Sequence, residues 1–181
     1  MLSRVEKFEV ALKQTECDAV LVTNLKNIYY LTGFSGTEAT VFISKKRRIF
    51  LTDSRYTLIA KGVVEGFDIV ETRDAVGEIA KIIADDKLEK IGFDDEISYA
   101  YFKMLESVFA GHELVPMTGF IENLRMIKDE QEIATIRRAC QISDQAFLDV
   151  LDFIKPGETT ELAVMNFLDA RMRQLGASGA S

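Results

Sequence analysis

Hydrophobic residues recur along this chain with two different periods, and the alternation between the periods predicts the fold. Val5, Phe8 and Leu12 follow a helical spacing with charges between them. The segment 18–23, apolar at its four central positions, then reads as a buried strand. Residues 24–30 form a turn or short helix closed by Gly33. Strands at 39–43 and 48–52 flank the basic turn Lys45-Lys46-Arg47-Arg48 and predict a hairpin. Asp53 is placed to cap a helix over 54–60. A strand at 67–71 follows, then a helix at 75–85 with Val76, Ile79, Ile82 and Ile83 on one side. After a strand at 90–94, Ser98 caps a helix that turns Phe102, Leu105 and Phe109 inward. The segment 113–116 ends in proline and so belongs at a sheet edge. Strands alternating with helices after an early hairpin predict an α/β domain, a mixed sheet flanked by helices, over 1–121.

The pattern changes over 122–181, a linker and two helices, and from Lys128 onward no strand signal remains. Asp129 starts a long helix whose positions 133, 136, 140, 143, 147, 150 and 154 form a stripe interrupted only by Ser143. Pro156-Gly157 stops it, and Thr159 or Thr160 caps a second helix. Leu162, Met165, Leu168, Met172 and Leu175 are expected along one face of that helix, before Gly176. Such a hairpin covers its own apolar stripes only in part. The expectation is a domain cut short, or a face that a partner covers.

Composition narrows the chemistry. The 181 residues are 48% hydrophobic and 28% charged, which excludes a disordered chain. A net charge of −7 argues against nucleic-acid or anionic-membrane partners. Cys17 and Cys140 lie far apart, without metal-ligand spacing, and read as reduced thiols of a cytoplasmic protein. His112, the one histidine, sits in a predicted turn between Gly111 and Glu113, so neither a Ser–His nor a Cys–His pair is indicated. The stretch from Gly33 to Gly36 precedes a strand and fits neither the P-loop nor the dinucleotide fingerprint. Asp53, Asp94 and Asp95 fall at predicted carboxyl ends of strands, where Mg²⁺ and a phosphodiester would sit in a nuclease. Helix capping explains the same three carboxylates without a metal.

Four stretches carry a resemblance. Asn24-Leu-Lys-Asn-Ile-Tyr-Tyr-Leu-Thr-Gly-Phe-Ser-Gly36 resembles N-x-x-N-I-x-Y-L-T-G-F-x-G of the Xaa-Pro peptidases, the prolidase, aminopeptidase P and creatinase group. Leu51-Thr-Asp-Ser-Arg-Tyr56 is similar to their L-T-D-x-R-Y. Leu124-Arg-Met-Ile-Lys-Asp-Glu-Gln-Glu-Ile133 resembles the entry to their catalytic domain, and Phe153-Ile-Lys-Pro-Gly-Glu-Thr-Thr-Glu161 a turn within it.

The resemblance implies a creatinase-type, ribonuclease-H-like N-terminal domain followed by the first two helices of a pita-bread catalytic domain. It implies proline-specific peptide hydrolysis in a full-length parent that holds two Mn²⁺, Co²⁺ or Zn²⁺ ions. None of those metal ligands maps onto this chain, which is expected to be an inactive fragment contributing pocket walls and subunit contacts. Phe34 and Arg55 are the substrate-side candidates, Phe34 by apolar contact and Arg55 by binding a peptide carboxylate. Core packing and a salt bridge are their respective alternatives. Homo-oligomers are expected, through the N-terminal domain or the helix pair. A non-catalytic binding or assembly module on the same fold is the competing expectation.

Overall fold

Residues 2–179 are described by a computed structural model. The chain divides into two compact units, Met1–Met126 and Ile127–Ser181.

In the first unit, Ser3 begins α1 (Arg4–Leu12) with a capping box shared with Glu6. The strands are β1 (Ala19–Val22), β2 (Thr40–Ser44), β3 (Arg48–Thr52), β4 (Asp68–Glu71), β5 (Lys90–Phe93) and β6 (Glu113–Pro116). They form one six-stranded sheet in the order β4-β3-β2-β1-β5-β6. β2 runs antiparallel to β1 and β3, whereas the β1–β5, β3–β4 and β5–β6 pairs are parallel. The proline-bearing β6 is an edge strand, as its sequence requires.

Successive residues feed opposite faces of this sheet. Val20, Val22, Val41, Ile43 and Phe50 point into a core completed by α1, α2 (Leu25–Thr32) and α6 (Phe120–Met126). Ala19, Leu21, Phe42, Ile49, Leu51, Ile91 and Phe93 point into a second core under α4 (Ala75–Asp86) and α5 (Tyr99–Val108). Both faces are covered, so the strands read as unbroken apolar runs. Gly92 on β5 leaves room for its neighbours: a Cβ there would meet Met117 Cγ at 2.7 Å and Val20 Cγ2 at 3.1 Å. Met117 Sδ in turn lies 3.7 Å from Cys17 Sγ.

Two boundaries differ from the sequence reading. The first unit continues to Met126 rather than ending near 121, because α6 packs into its core. Ile121 is buried, Phe120 meets Phe8 edge-on at 5.3 Å, and the Tyr30 hydroxyl donates to the Leu124 carbonyl at 3.3 Å. Helix α3 (Thr57–Val63) starts later than expected, after Tyr56 and without a side-chain cap. Asp53 is occupied with Arg55 instead.

The second unit is a helix pair, α7 (Glu130–Phe153) and α8 (Glu161–Gln174), each with the predicted cap, Asp129 and Thr160. The buried row on α7 is Ile142, Ala146 and Val150. The expected stripe shares only Val150 with it, and Ile136, Phe147 and Ile154 are exposed. Three side-chain contacts across the pair accompany this rotation. Arg171 donates to Asp149 at 2.5 Å, Arg138 donates to the Leu175 carbonyl at 2.9 Å, and Phe153 stacks on Phe167 at 4.4 Å. Leu162 and Met165 of α8 are likewise exposed. No helix among the described residues is long and apolar enough to cross a membrane.

Candidate functional site

The carboxyl ends of the parallel strands gather most of the polar residues that the sequence singles out, and two sequence motifs meet there. Gly33 closes α2 in the left-handed conformation, φ +74°, which a side chain would strain. The loop over 33–38 then folds back over the Phe34 ring. Gly36 sits so close to it that a Cβ would lie 2.3 Å from Phe34 Cζ and 2.9 Å from Tyr56 Cδ1. Phe34 itself is only 1% exposed and packs edge-on against Phe50 and Tyr56. Its ring therefore supports the loop from below and has no free face for a ligand in this chain, so the packing alternative describes it. The Tyr56 hydroxyl lies 2.8 Å from the Thr37 hydroxyl, and Thr52 Oγ1 donates to the Glu38 carbonyl at 2.6 Å. The T-G-F-x-G and D-x-R-Y stretches thus form one locked corner.

Arg55 is at the outer side of that corner, with its side chain 66% exposed. Its Nε and Nη2 both donate to Asp53 Oδ2, at 2.9 and 2.6 Å, and its backbone N–H donates to Asp53 Oδ1 at 2.9 Å. These bonds hold the Asp53 carboxyl below its usual range. The guanidinium also lies over the Tyr56 ring, 5.4 Å from its centroid.

Asp94 has a different task. It is 8% exposed, and its Oδ2 accepts the Thr23 and Asn24 N–H groups at 2.7 and 2.8 Å. Asn27 donates one amide hydrogen to Asp94 Oδ1 and the other to Glu122 Oε1, at 3.2 and 2.7 Å. The Asn27 Oδ1 accepts from Arg125 at 3.0 Å. One amide therefore ties β5, α2 and α6 together. Burial pushes the Asp94 carboxyl above its usual range, against the opposing pull of its hydrogen bonds. The sequence reading gave Asn27 no role. Its place as the second Asn of the N-x-x-N stretch is the signal that could have marked it.

Asp53, Asp94 and Asp95 are not brought together. Asp53 follows β3 and Asp94 follows β5, three strand spacings apart, or roughly 14 Å. Among the described residues no group of three or more His, Cys, Asp or Glu is placed to hold a metal ion. The nuclease reading loses its geometric basis. His112 is a turn residue whose Nδ1 lies 2.8 Å from the Leu88 carbonyl. The basic turn is largely neutralised by Lys45–Asp18, Arg47–Asp86 and Arg48–Glu9 pairs.

Two adjoining clefts open at the strand ends. One, of about 340 Å³, is lined by Glu38, Thr40, Thr52, Asp53, Arg55 and Arg73, among others. The other, of about 370 Å³, includes Thr23, Leu25, Ile97, Ser98 and Tyr101 and shares Glu38 and Thr40 with the first. Both are of the size that holds small ligands.

Known proteins resemble this chain in sequence and fold. A family model described as the creatinase/prolidase N-terminal domain matches residues 4–127. The chain is 35% identical over 180 residues to the uncharacterized peptidase YqhT of Bacillus subtilis, covering 98% of this chain and 51% of that protein. It superposes on an Xaa-Pro dipeptidase from Bacillus anthracis with a TM-score of 0.89 at 35% identity, over 97% of this chain and 50% of that one. An aminopeptidase P structure from Streptococcus thermophilus is 57% identical with a TM-score of 0.66, over 68% of this chain and 96% of that one. The chain spans about half the length of the curated relatives it matches.

Proposed function

The chain belongs to the creatinase/prolidase N-terminal domain family, and from that premise we propose that it is the amino-terminal part of an Xaa-Pro metallopeptidase. Its relatives and structural neighbours are peptidases, and it matches an Xaa-Pro dipeptidase across both of its units. That whole-chain match carries the reading.

Hydrolysis of this kind would draw on two divalent ions, Mn²⁺, Co²⁺ or Zn²⁺, for Lewis-acid activation. The described residues offer no donor set that fits them. We assign this chain no step of bond cleavage. Its part is to wall and position. Arg55 stands at the cleft mouth where a peptide carboxylate would pass, and Phe34 and Gly36 hold the 33–38 loop in place beside it.

Subunit contact is assigned to exposed apolar side chains, Leu58 and Ile59 on α3 and Ile136 and Phe147 on α7. We place the protein in the cytoplasm, with both cysteines unpaired.

The test is direct. The purified 181-residue chain, given Mn²⁺ and alanyl-proline, is expected to release no proline. Release of proline would overturn the division of labour. Sedimentation is expected to show a dimer or larger species, and a monomer at high concentration would remove the subunit-contact assignment.

A further inference from the structure

Asp94 is a buried carboxylate whose three hydrogen bonds all come from neutral N–H groups. The Asn27 amide beside it has one orientation that satisfies its surroundings. Its NH₂ faces two acids, Asp94 Oδ1 and Glu122 Oε1, and its oxygen faces the guanidinium of Arg125. Turned over, the amide would set its oxygen against Glu122 and its NH₂ against Arg125. The charge on Asp94 therefore helps to hold Asn27 the way it lies. From α6 the charged groups facing this pair are Glu122 and Arg125. On the segment after β5, Asp95 and Glu96 follow Asp94, and Glu96 Oε2 accepts from Asn24 Nδ2 at 2.8 Å. The turn after β1 supplies only backbone N–H groups to Asp94, and α2 supplies only the Asn27 amide.

Protonation of Asp94 would upset this arrangement at one atom. Oδ2 already accepts two backbone N–H groups, so an arriving proton goes to Oδ1. An O–H there meets the Asn27 NH₂, donor against donor. We propose that Asp94 and Asn27 form a proton-operated amide switch: a proton on Asp94 Oδ1 turns the Asn27 amide over, the amide oxygen accepts the new O–H, and Arg125 passes from Asn27 to Glu122. The proton comes from water and stays on Asp94, and no other covalent bond changes. Arg125 has little distance to travel, because its Nη1 is already 3.9 Å from Glu122 Oε1.

The corner stays shut while its polar partners change. Thr23 and Asn24 still donate to Oδ2, and α6 keeps the Phe120 and Ile121 packing and the Tyr30 bond to the Leu124 carbonyl. Burial foremost, with the Glu122 charge adding to it, raises the Asp94 carboxyl, so the switch works in milder acid than an exposed aspartate allows. Asn27 and Arg125 belong to two of the motif stretches read in the sequence, and this amide is where those stretches bond. The switch rests on this chain's own contacts and not on the peptidase reading.

The experiment is an NMR pH titration of the ¹³C,¹⁵N-labelled 181-residue chain from neutral pH into mild acid. The Asp94 carboxyl carbon, Asn27 Nδ2 and the Arg125 guanidinium are expected to move with one midpoint, above the ordinary aspartate value of about 3.9. Cross-peaks of the Asn27 amide hydrogens are expected to pass from the Glu122 side chain to that of Arg125. Asp94→Asn gives a second arm. Its side-chain oxygen must face the Thr23 and Asn24 N–H groups, so its NH₂ meets Asn27 at every pH. That variant should show the turned amide at neutral pH and no further change in acid. Glu122 is 43% exposed, so Glu122→Gln folds. It should lower the common midpoint, because it removes both a charge that raises Asp94 and the acid that receives Arg125. The proposal is overturned if Asn27 and Arg125 stay still while Asp94 titrates, or if Asp94 keeps its charge down to the ordinary range. It is equally overturned if Asp94→Asn retains the Asn27 cross-peaks to Glu122, or if Glu122→Gln leaves the midpoint unchanged or raises it. Should Asp94→Asn fail to fold, the parent and Glu122→Gln decide the matter between them.

Discussion

The two units of this chain use the same kinds of residue to different ends. In the first, a sheet between two helical layers seals Phe8, Phe34, Phe42 and Phe50, which are at most 1% exposed. In the second, two helices with comparable apolar content bury Ile142, Ala146 and Val150 on α7 and leave Phe147 60% exposed. The difference teaches that a sheet dictates which side of each element faces inward, because alternation leaves no choice. A helix pair offers several nearly equivalent stripes, and polar pins such as Asp149–Arg171 select among them.

The sharpest way to break this comparison is to truncate one phenylalanine in each unit. Phe34→Ala should cost about 3–5 kcal/mol in chemical denaturation. Phe147→Ala, measured at concentrations low enough to keep the chain monomeric, should stay within about 0.5 kcal/mol in the same assay. Equal losses would mean that the helix pair is as tightly built as the sheet.

Gly36→Ala should destabilise by about 1–3 kcal/mol, because its methyl group meets the Phe34 ring and the loop must lift. Changes in the Tyr56 and Thr37 amide signals would locate that damage. Asn27→Ala should cost a similar or smaller amount, about 1–3 kcal/mol, by leaving Asp94 Oδ1 and Arg125 without their shared partner. Hydrogen exchange in α6 should quicken while exchange in α8 does not change.

Acid sharpens the contrast through opposite signs. Burial raises the Asp94 carboxyl in the folded state, so its charged form opposes folding. That penalty is lifted as pH falls through the raised value and is gone below the ordinary aspartate range. Relative to Asp94→Asn, the parent should therefore gain stability on acidification. The Arg171 and Gln145 hydrogen bonds depress the Asp149 carboxyl, so the stability it contributes is present above the ordinary range and is lost as pH falls through the depressed value. NMR between neutral pH and pH 3 should show the helix pair loosening before the Asp94 corner does. The smallest effect is chemical. Exposed Cys140 should be alkylated at once, whereas Cys17, whose thiol burial pushes upward, should react only after unfolding.

Strand placement was legible from residue pattern because runs such as those of β1, β2 and β3 leave no polar side to expose. The caps Ser98, Asp74, Asp129 and Thr160 act locally and were equally open to reading, although Asp74 was passed over. Helix α6 was not seen, since seven residues hold too little periodicity to stand out and their burial depends on α1 and α2. The Asn27 hub joins residues 67 and 95 positions apart, a distance that no local pattern encodes. The two motifs were visible as strings. Their union through Gly36, Phe34 and Tyr56 needed the fold.

The missing side chain at Gly92 creates a small sulfur-lined seam, where Met117 leans over β5 toward Cys17. A thioether in that position has an oxidative liability, because a sulfoxide is larger and more polar than the thioether packed between β5 and the buried Cys17. Peroxide damage at this one atom would wedge the segment after β6 away from its neighbour before the strands' own pairing is lost.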